Sequence, residues 1–499
     1  MKEFVLHNIN EIRIFLENEE VILNYCPSFN ELLNLAEIKK DQVVLFSIKN
    51  NNEIVAVALM SKNKRQIAAM KYNSLYLYGF DFFDYNSFYL KESFQNQFIK
   101  LIKEYSKKNK LDLIIFDNIL NDLKGSCEIK DIETIDLFDK DKSENGFNFI
   151  TNKKSLKRHK NKLINNFNYS VNHFRGNAIT KELIDQFSDF HIERWRFDNI
   201  KSSFLFTDRK LDYLNNIENK LLTIIKINKE VFAMHFGMIY DDSLVWHSPV
   251  LNIKFYEYSP IEVLLLETSI YCDENKIMIL DFGLGNEKYK MRFTNTKKEV
   301  FSYFFPLSLF HKTKLFLSRK LRDFGVMKLN HLFKKFYLYI KSINNSLIVY
   351  KVNFTEFEKS NIQNKNIKFH VFSQYSEFVD FFREVNVSIQ RHHYNRLKLD
   401  DIFYCLFEGN ELVCSGWSTS NPINVSEINK RLEVLSNNIL YDFFTPSNFR
   451  NNGYYKSILQ NIILHQKIDS YIYTLRSNKV SNKAIIKIGF KKTDEFKLR

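Results

Sequence analysis

One arrangement of elements occurs three times in this chain and limits its fold more than any single motif. Strand-like residues at 42–49, the Asn50-Asn51-Asn52 turn and a second strand-like run at 53–60 predict a hairpin; strand material at 73–82, a helical run at 91–108 and a strand at 111–117 follow. The order returns with strands at 221–227, 231–240 and 243–250, turns at Asn228-Lys229 and Asp241-Asp242, a helix starting just past Pro260, and a strand at 277–282. It returns again with strands at 401–407 and 411–418 around Glu408-Gly409-Asn410, a strand at 438–445, a helix at 453–466 and a strand at 470–475. Two strands that flank a helix pair in parallel through a right-handed crossover. Each repeat therefore predicts a mixed sheet, antiparallel first and parallel later, with helices on its faces. The expected class is α/β (α+β) with three such sheets, in line with about 150 residues per domain over 499 residues.

Charge is concentrated rather than spread. Lys and Arg exceed Asp and Glu by 72 to 58, a net +14. Residues 153–162 hold six basic groups and no acid, and residues 306–341 hold nine against Asp323 alone, so these two stretches account for the whole excess. A nucleic-acid-binding domain shows a basic face along its length, and RNA or DNA is not the expected partner. Two local patches suit a membrane surface or a phosphorylated substrate. The five cysteines, Cys26, Cys127, Cys272, Cys405 and Cys414, include no CxxC pair and have no histidine at ligand spacing. They read as reduced thiols of a cytoplasmic protein, and no metal is expected. The first twenty residues alternate charged and apolar types, unlike a signal peptide, and no run of 18 apolar residues predicts a membrane span.

The third repeat carries the most chemistry. A strand ends at Phe444-Thr445-Pro446, a polar turn follows, and Arg450-Asn451-Asn452-Gly453-Tyr454-Tyr455 leads into a helix with apolar Ile458, Leu459, Ile462 and Ile463. A turn running into a helix N-terminus aims unpaired N–H groups outward, where they and the helix dipole hold an anion such as a pyrophosphate. Gly453 lets the backbone approach the anion and Arg450 adds charge.

This loop resembles the acyl-CoA loop of the GNAT acyltransferase superfamily, whose pattern is Arg/Gln-x-x-Gly-x-Gly/Ala. The downstream SNKVSNKAIIKIGFKKTDEF, with Asn478, Ser481, Asn482, Gly489 and Phe490, resembles that superfamily's closing helix and strand. The resemblance covers 346–499 and implies a GNAT domain that uses acetyl-CoA or another acyl-CoA. It implies that Phe444 and Thr445 offer backbone groups to the pantetheine arm, that the N–H groups of Arg450, Asn451, Asn452, Gly453, Tyr454 and Tyr455 hold the pyrophosphate, and that Asn478 or Asn482 lies beside the thiol end. Two positions depart from the pattern: Tyr455 replaces the last small residue of the loop, and Ile485 stands where the family places its general-acid tyrosine. Asp442, on the strand, is the candidate base, acting directly or through water.

The middle repeat contains Tyr258-Ser259-Pro260, then Asp281-Phe282-Gly283-Leu284-Gly285, Glu287, Tyr289-Lys290 and Arg292. Asp281 falls at the carboxyl end of an apolar strand, where α/β proteins place ligands. Gly283 and Gly285 permit a sharp turn, and Lys290 and Arg292 suit a phosphate or carboxylate. The series resembles the CelD-like acyltransferases, related to the Fem-type peptidoglycan transferases, which join two GNAT-like halves in one chain; Ile261 replaces their usual glycine. The resemblance covers about 1–305 and makes Asp281 and Lys290 candidate catalytic groups and Tyr258, Gly283, Gly285, Tyr289 and Arg292 candidate substrate contacts. His235 and His247, on adjacent strands, are further candidates for a base, although strand histidines are more often core residues, as are Trp195 and Trp246.

The expected organisation is thus a degenerate GNAT-like half at 1–145, a CelD-like half at 146–305 forming a tandem Fem/CelD-like unit with it, a basic amphipathic helical connector at 306–345, and a GNAT domain at 346–499. The expected activity is transfer of an acyl group, most simply acetyl, from acyl-CoA to an amine or hydroxyl of an amino sugar, or of another lipid-linked or surface-polysaccharide precursor of the cell envelope. Residues 306–341 could rest on the anionic inner face of a membrane. Fem-type aminoacyl transfer from charged tRNA, with 153–162 on the RNA, is the second enzyme reading, and a partly degenerate scaffold is the non-enzyme one.

Overall fold

The computed structural model describes residues 1–18, 28–67, 70–79, 86, 88–120, 122–123, 129–202, 211, 214–285, 287–324, 346–357, 367–425, 430–432 and 438–497. The chain divides into two compact units, Met1–Arg194 with Lys201–Val326, and Trp195–Ile200 with Met327–Arg499.

The mixed-sheet class and the threefold order of elements are both present. Each repeat opens on a hairpin with a two-residue loop, closed by the pairs Asn50↔Glu53, Ile227↔Glu230 and Glu408↔Glu411. Asn51-Asn52 and Asn228-Lys229 are left-handed at both loop positions, the type I′ geometry whose twist matches that of the flanking strands. Each repeat then makes a parallel crossover. Met70–Leu77 and Leu113–Ile119 are joined through the helix Gln95–Lys108. Ser243–Leu251 and Ile279–Leu284 are joined through Pro260–Glu274. Ile439–Phe444 and Ser470–Leu475 are joined through Tyr454–Gln466. The parallel ladders are short: Ser74↔Leu113 to Tyr76↔Ile115, Ser243↔Ile279 to Val245↔Asp281, and only Ile439↔Tyr471 and Leu440↔Ile472 in the last.

In the first unit the two repeats share one thirteen-stranded sheet. They are joined by two strands that the sequence pattern did not suggest, Ile129–Asp139 and Thr296–Pro306. Thr296–Pro306, which closes the second repeat, pairs with Leu113–Ile119 of the first, while Ile129–Asp139, which closes the first, pairs with Ile279–Leu284 of the second. The two closing strands also pair with each other, from Thr296↔Leu137 to Phe304↔Ile129. Each repeat thus covers the sheet edge that the other would leave open.

The second unit has its own seven-stranded sheet, in the order Ile367–Phe372, Ile402–Glu408, Glu411–Thr419, Ile439–Phe444, Ser470–Leu475, Ser346–Val352, Lys491–Lys497. The helix Tyr454–Gln466 seats Ile458, Leu459, Ile462 and Ile463, all fully buried, against Tyr404, Leu406, Val413 and Leu440. At about 1.5–3 kcal/mol for each buried apolar side chain, this face fixes the helix on the sheet. Of the basic connector, the helix Leu309–Phe324 is described and the stretch 325–345 lies outside the described residues. No helix among the described residues is long and apolar enough to cross a membrane. Cys272, Cys405 and Cys414 are free buried thiols, and Cys26 and Cys127 lie outside the described residues.

The strand exchange makes the first unit indivisible. Fragments 1–145 and 146–324 expressed separately are expected to be insoluble or unfolded, and co-expression is expected to restore a soluble pair. A 146–324 fragment that melts cooperatively as a monomer would contradict the exchange.

Candidate functional site

In the second unit the strand Ile439–Phe444 bends where its partner does not. Its register against Glu411–Thr419 jumps between Tyr441↔Trp417 and Phe444↔Ser415, a bulge centred on Asp442, whose φ is +50°. Bulges sharpen twist and end pairing. Beyond Leu440 no ladder pair joins this strand to Ser470–Leu475 among the described residues, so the facing edges of 441–444 and 473–475 are left open. Phe443 is turned over Gly416, where any side chain would collide with its ring, and meets Tyr455 edge-on with centroids 5.4 Å apart.

The gap between the strands is a cleft of about 680 Å³. Its walls include Tyr441, Asp442, Phe443, Phe444, Thr445, Arg450, Asn451, Gly453, Tyr454, Tyr455, Lys456, Tyr473, Thr474, Asn478 and Ser481. Gly453 heads the helix Tyr454–Gln466 with φ +82°, a left-handed conformation that glycine adopts freely, and no side chain caps the helix. The first bond of that helix runs from Ser457 N–H to the Gly453 carbonyl at 3.0 Å, so the N–H groups of Tyr454, Tyr455 and Lys456 have no partner within it. Arg450 is exposed beside them, its Nε donating to the Thr445 carbonyl at 3.1 Å.

The structure therefore gathers most of the loop residues singled out in the sequence around one cleft, and it also shows what some of their side chains are committed to. Asp442 pairs with Arg396 at 2.6 Å, a partner that no local motif announces. Asn478 caps the closing helix, accepting from Ser481 N–H at 3.2 Å. Asn482 is held behind the cleft wall: it accepts from the Tyr350 hydroxyl at 2.6 Å and donates to the Leu475 carbonyl at 2.9 Å. Tyr454 donates to Glu408 at 2.7 Å, and Asn452 is exposed outside the cleft lining. Burial pushes the Tyr455 phenol above its ordinary range. Ile485 is fully buried in the core.

In the first unit the Asp281–Gly285 stretch ends the strand Ile279–Leu284 where its parallel ladder stops. Asp281 is buried, and its Oδ1 accepts from Gly283 N–H at 2.7 Å. Lys290 is also buried; its Nζ donates to the Leu284 carbonyl at 2.6 Å and pairs with Glu287 at 2.8 Å. Both candidate catalytic groups thus brace the loop that carries them, with Gly283 and Gly285 at φ +68° and +111°. Arg292 reaches Glu262 at 3.1 Å and Ser155 at 3.2 Å. Lys162 lies over the Tyr258 ring at 4.4 Å. Tyr289 is partly exposed, and burial of its hydroxyl pushes its pKa up. Of the basic run 153–162, Lys160 meets Glu267 at 2.7 Å and His159 meets Glu262 at 3.3 Å, both on the helix Pro260–Glu274. Among the described residues no cluster of His, Cys, Asp and Glu could hold a metal.

His235 is fully buried, stacked on Trp246 at 4.1 Å, with neither ring nitrogen hydrogen-bonded. Burial, reinforced by His247 and His173, pushes its pKa down to about 3.

Residues 152–291 match the family described as an acetyltransferase (GNAT) domain. The match covers that stretch alone and supports acyl transfer as the class of reaction. Among solved structures it is similar to FemX, at 10% identity over 61% of this chain and 98% of that one with a TM-score of 0.43. It is similar to L-PGS from Bacillus licheniformis at 12% identity over 62% and 96%, with a TM-score of 0.42. It is also similar to a tandem GNAT protein from the clavulanic acid biosynthesis pathway, at 7% identity over 62% and 99%, with a TM-score of 0.36. No curated protein matches the chain.

The buried imidazole gives the first unit a signed pH dependence. His235 stays neutral in the folded state and gains a proton on unfolding below about pH 6.5. Its contribution is therefore complete above about 6.5 and shrinks as pH falls toward 3, by up to about 1.4 kcal/mol per pH unit. Calorimetry at pH 7.5 and 5.0 should show a smaller drop in Tm for His235→Phe than for the unaltered protein. Equal drops would mean that the imidazole is solvated.

Proposed function

We propose, from the premise of a GNAT acetyltransferase domain at 152–291, that the protein transfers an acyl group from an acyl-CoA held in the cleft of the second unit. The observation that supports this most is the parting of the strands Ile439–Phe444 and Ser470–Leu475 beside the uncapped helix at Gly453. The two features suit the two ends of one ligand. A helix N-terminus with free N–H groups favours a diphosphate. Open strand edges favour an extended arm carrying amide groups, which can pair with them as an added strand would. Pantetheine diphosphate has both.

A bound acyl-CoA supplies a thioester carbonyl: the C–N or C–O bond to the acceptor forms, the C–S bond breaks, the acceptor loses a proton and the CoA sulfur gains one. The chain supplies position. The N–H groups of residues 453–456 fix the diphosphate, Arg450 adds positive charge, and residues 441–445 hold the arm straight, so that the carbonyl meets the acceptor at a set distance. Asp442 is the group placed to take the acceptor's proton, with Arg396 holding its carboxylate in the lining. In the first unit, Tyr289 and Gly285, on the loop braced by Asp281 and Lys290, are the groups we assign to substrate contact.

The acceptor we favour is an amine or hydroxyl of an amino sugar or of a lipid-linked precursor of a surface polysaccharide, and acetyl is the simplest acyl group. Use of acyl-CoA suits the cytoplasm. Aminoacyl transfer from tRNA is less well supported, because Lys160 and His159 of the 153–162 run face carboxylates of their own unit.

Titrating the full chain with acetyl-CoA is expected to raise its Tm, since a ligand at 100 times its Kd adds about 2.7 kcal/mol. Gly453→Asp places a carboxylate where the diphosphate would lie. No atom lies within 4 Å of a Cβ at this position, so the substitution costs only the strain of a left-handed residue, about 1–2 kcal/mol. It should lower CoA affinity at least about tenfold while the protein stays folded. No shift with acetyl-, propionyl- or longer acyl-CoA would contradict the reading.

A further inference from the structure

Among the described side chains, the contacts that fasten the helix Leu309–Phe324 to the first unit lie along one side. Leu315 and Ser318 are fully buried, His311 pairs with Asp112 at 3.1 Å, Arg319 is clamped on Asp131, and Lys314 donates to the Lys71 carbonyl at 2.7 Å. These residues recur at helical spacing and hold about 24 Å of helix in place. The opposite side is apolar and open. Leu309 is 79% exposed, Phe310 71%, Phe316 56% and Leu317 50%.

Positions 309, 310, 316 and 317 fall on a single helical stripe, with Thr313 between them and Lys312 and Lys320 on the same side. Lys320 lies over the Phe316 ring at 5.5 Å. Large apolar side chains gathered in water mark a contact surface. Its chemistry is specific: bulky apolar groups at the centre and the ammonium groups of Lys312 and Lys320 beside them. A protein partner needs a matching shape, whereas a bilayer rich in anionic lipid needs only this pairing of apolar insertion with positive charge.

We propose that this outer face is a docking surface for an anionic lipid bilayer, with Leu309, Phe310, Phe316 and Leu317 entering the headgroup boundary and Lys312 and Lys320 meeting lipid phosphates. A single such helix gives reversible attachment. The proposal goes beyond the acyl-transfer reading and does not depend on it, because no residue of this face belongs to the cleft.

The test is co-sedimentation of the full chain with vesicles of phosphatidylcholine alone and of phosphatidylcholine mixed with phosphatidylglycerol. The protein should pellet with the anionic vesicles, release as salt rises, and stay in solution with the neutral ones. Phe310→Glu combined with Leu317→Glu should weaken binding about tenfold or more, and Lys320→Glu by a smaller factor. Both changes are on exposed side chains, so circular dichroism and the response to acetyl-CoA should be unaltered. Failure to pellet with anionic vesicles, or equal pelleting of the Glu-substituted variant, would overturn the proposal. So would a dimer in analytical ultracentrifugation that the double substitution splits while vesicle binding persists, since the face would then hold a second copy of the chain.

Discussion

Two parallel strands that stay together for two residues and then part are the constraint on which the second unit is built. A backbone edge left without partners inside a protein costs free energy unless something else pairs with it. Here the bulge at Asp442 turns the strand away, and the exposed edge becomes the lining of a cleft instead of a ladder. The helix that follows starts at the mouth of that cleft with no side-chain cap, so open strand edges and free helix amides face the same space. Packing of Ile458, Leu459, Ile462 and Ile463 holds the helix there.

In the first unit the parallel strands Ser243–Leu251 and Ile279–Leu284 likewise part beyond Val245↔Asp281. Its two repeats also have parallel ladders of only a few residues, but each is flanked by the closing strand of the other, and the shared sheet leaves no exposed edge between them. In its candidate loop the buried Asp281 holds the turn at Gly283, and the buried Lys290 ties the Leu284 carbonyl to the exposed Glu287.

The repeats were legible in the sequence because hairpins, turns and amphipathic helices are encoded within a dozen residues. The two-residue loops at Asn51-Asn52 and Gly409-Asn410 sit where the turn signals were, and the helix expected at 453–466 runs from Tyr454 to Gln466. The exchange of Ile129–Asp139 and Thr296–Pro306 was not legible, since it joins residues more than 150 positions apart and no local pattern names a strand's partner. Site residues followed the same rule. The loop around Gly453 could be read from its own order of residues, but the pairing of Asp442 with Arg396 and the anchoring of Asn482 on Tyr350 depend on distant strands and helices. Side-chain partners were likewise hidden: within the basic run at 153–162, Lys160 and His159 meet carboxylates of the helix Pro260–Glu274, while Lys154, Lys157, Arg158 and Lys162 are exposed.

The most direct measurement is a crystal structure of the full chain with a non-hydrolysable acetyl-CoA analogue. The expected density places the diphosphate against the amides of residues 453–456 and the pantetheine arm between 441–444 and 473–475. Density for the analogue against the Gly283–Tyr289 loop, with those amides capped by protein groups instead, would contradict it.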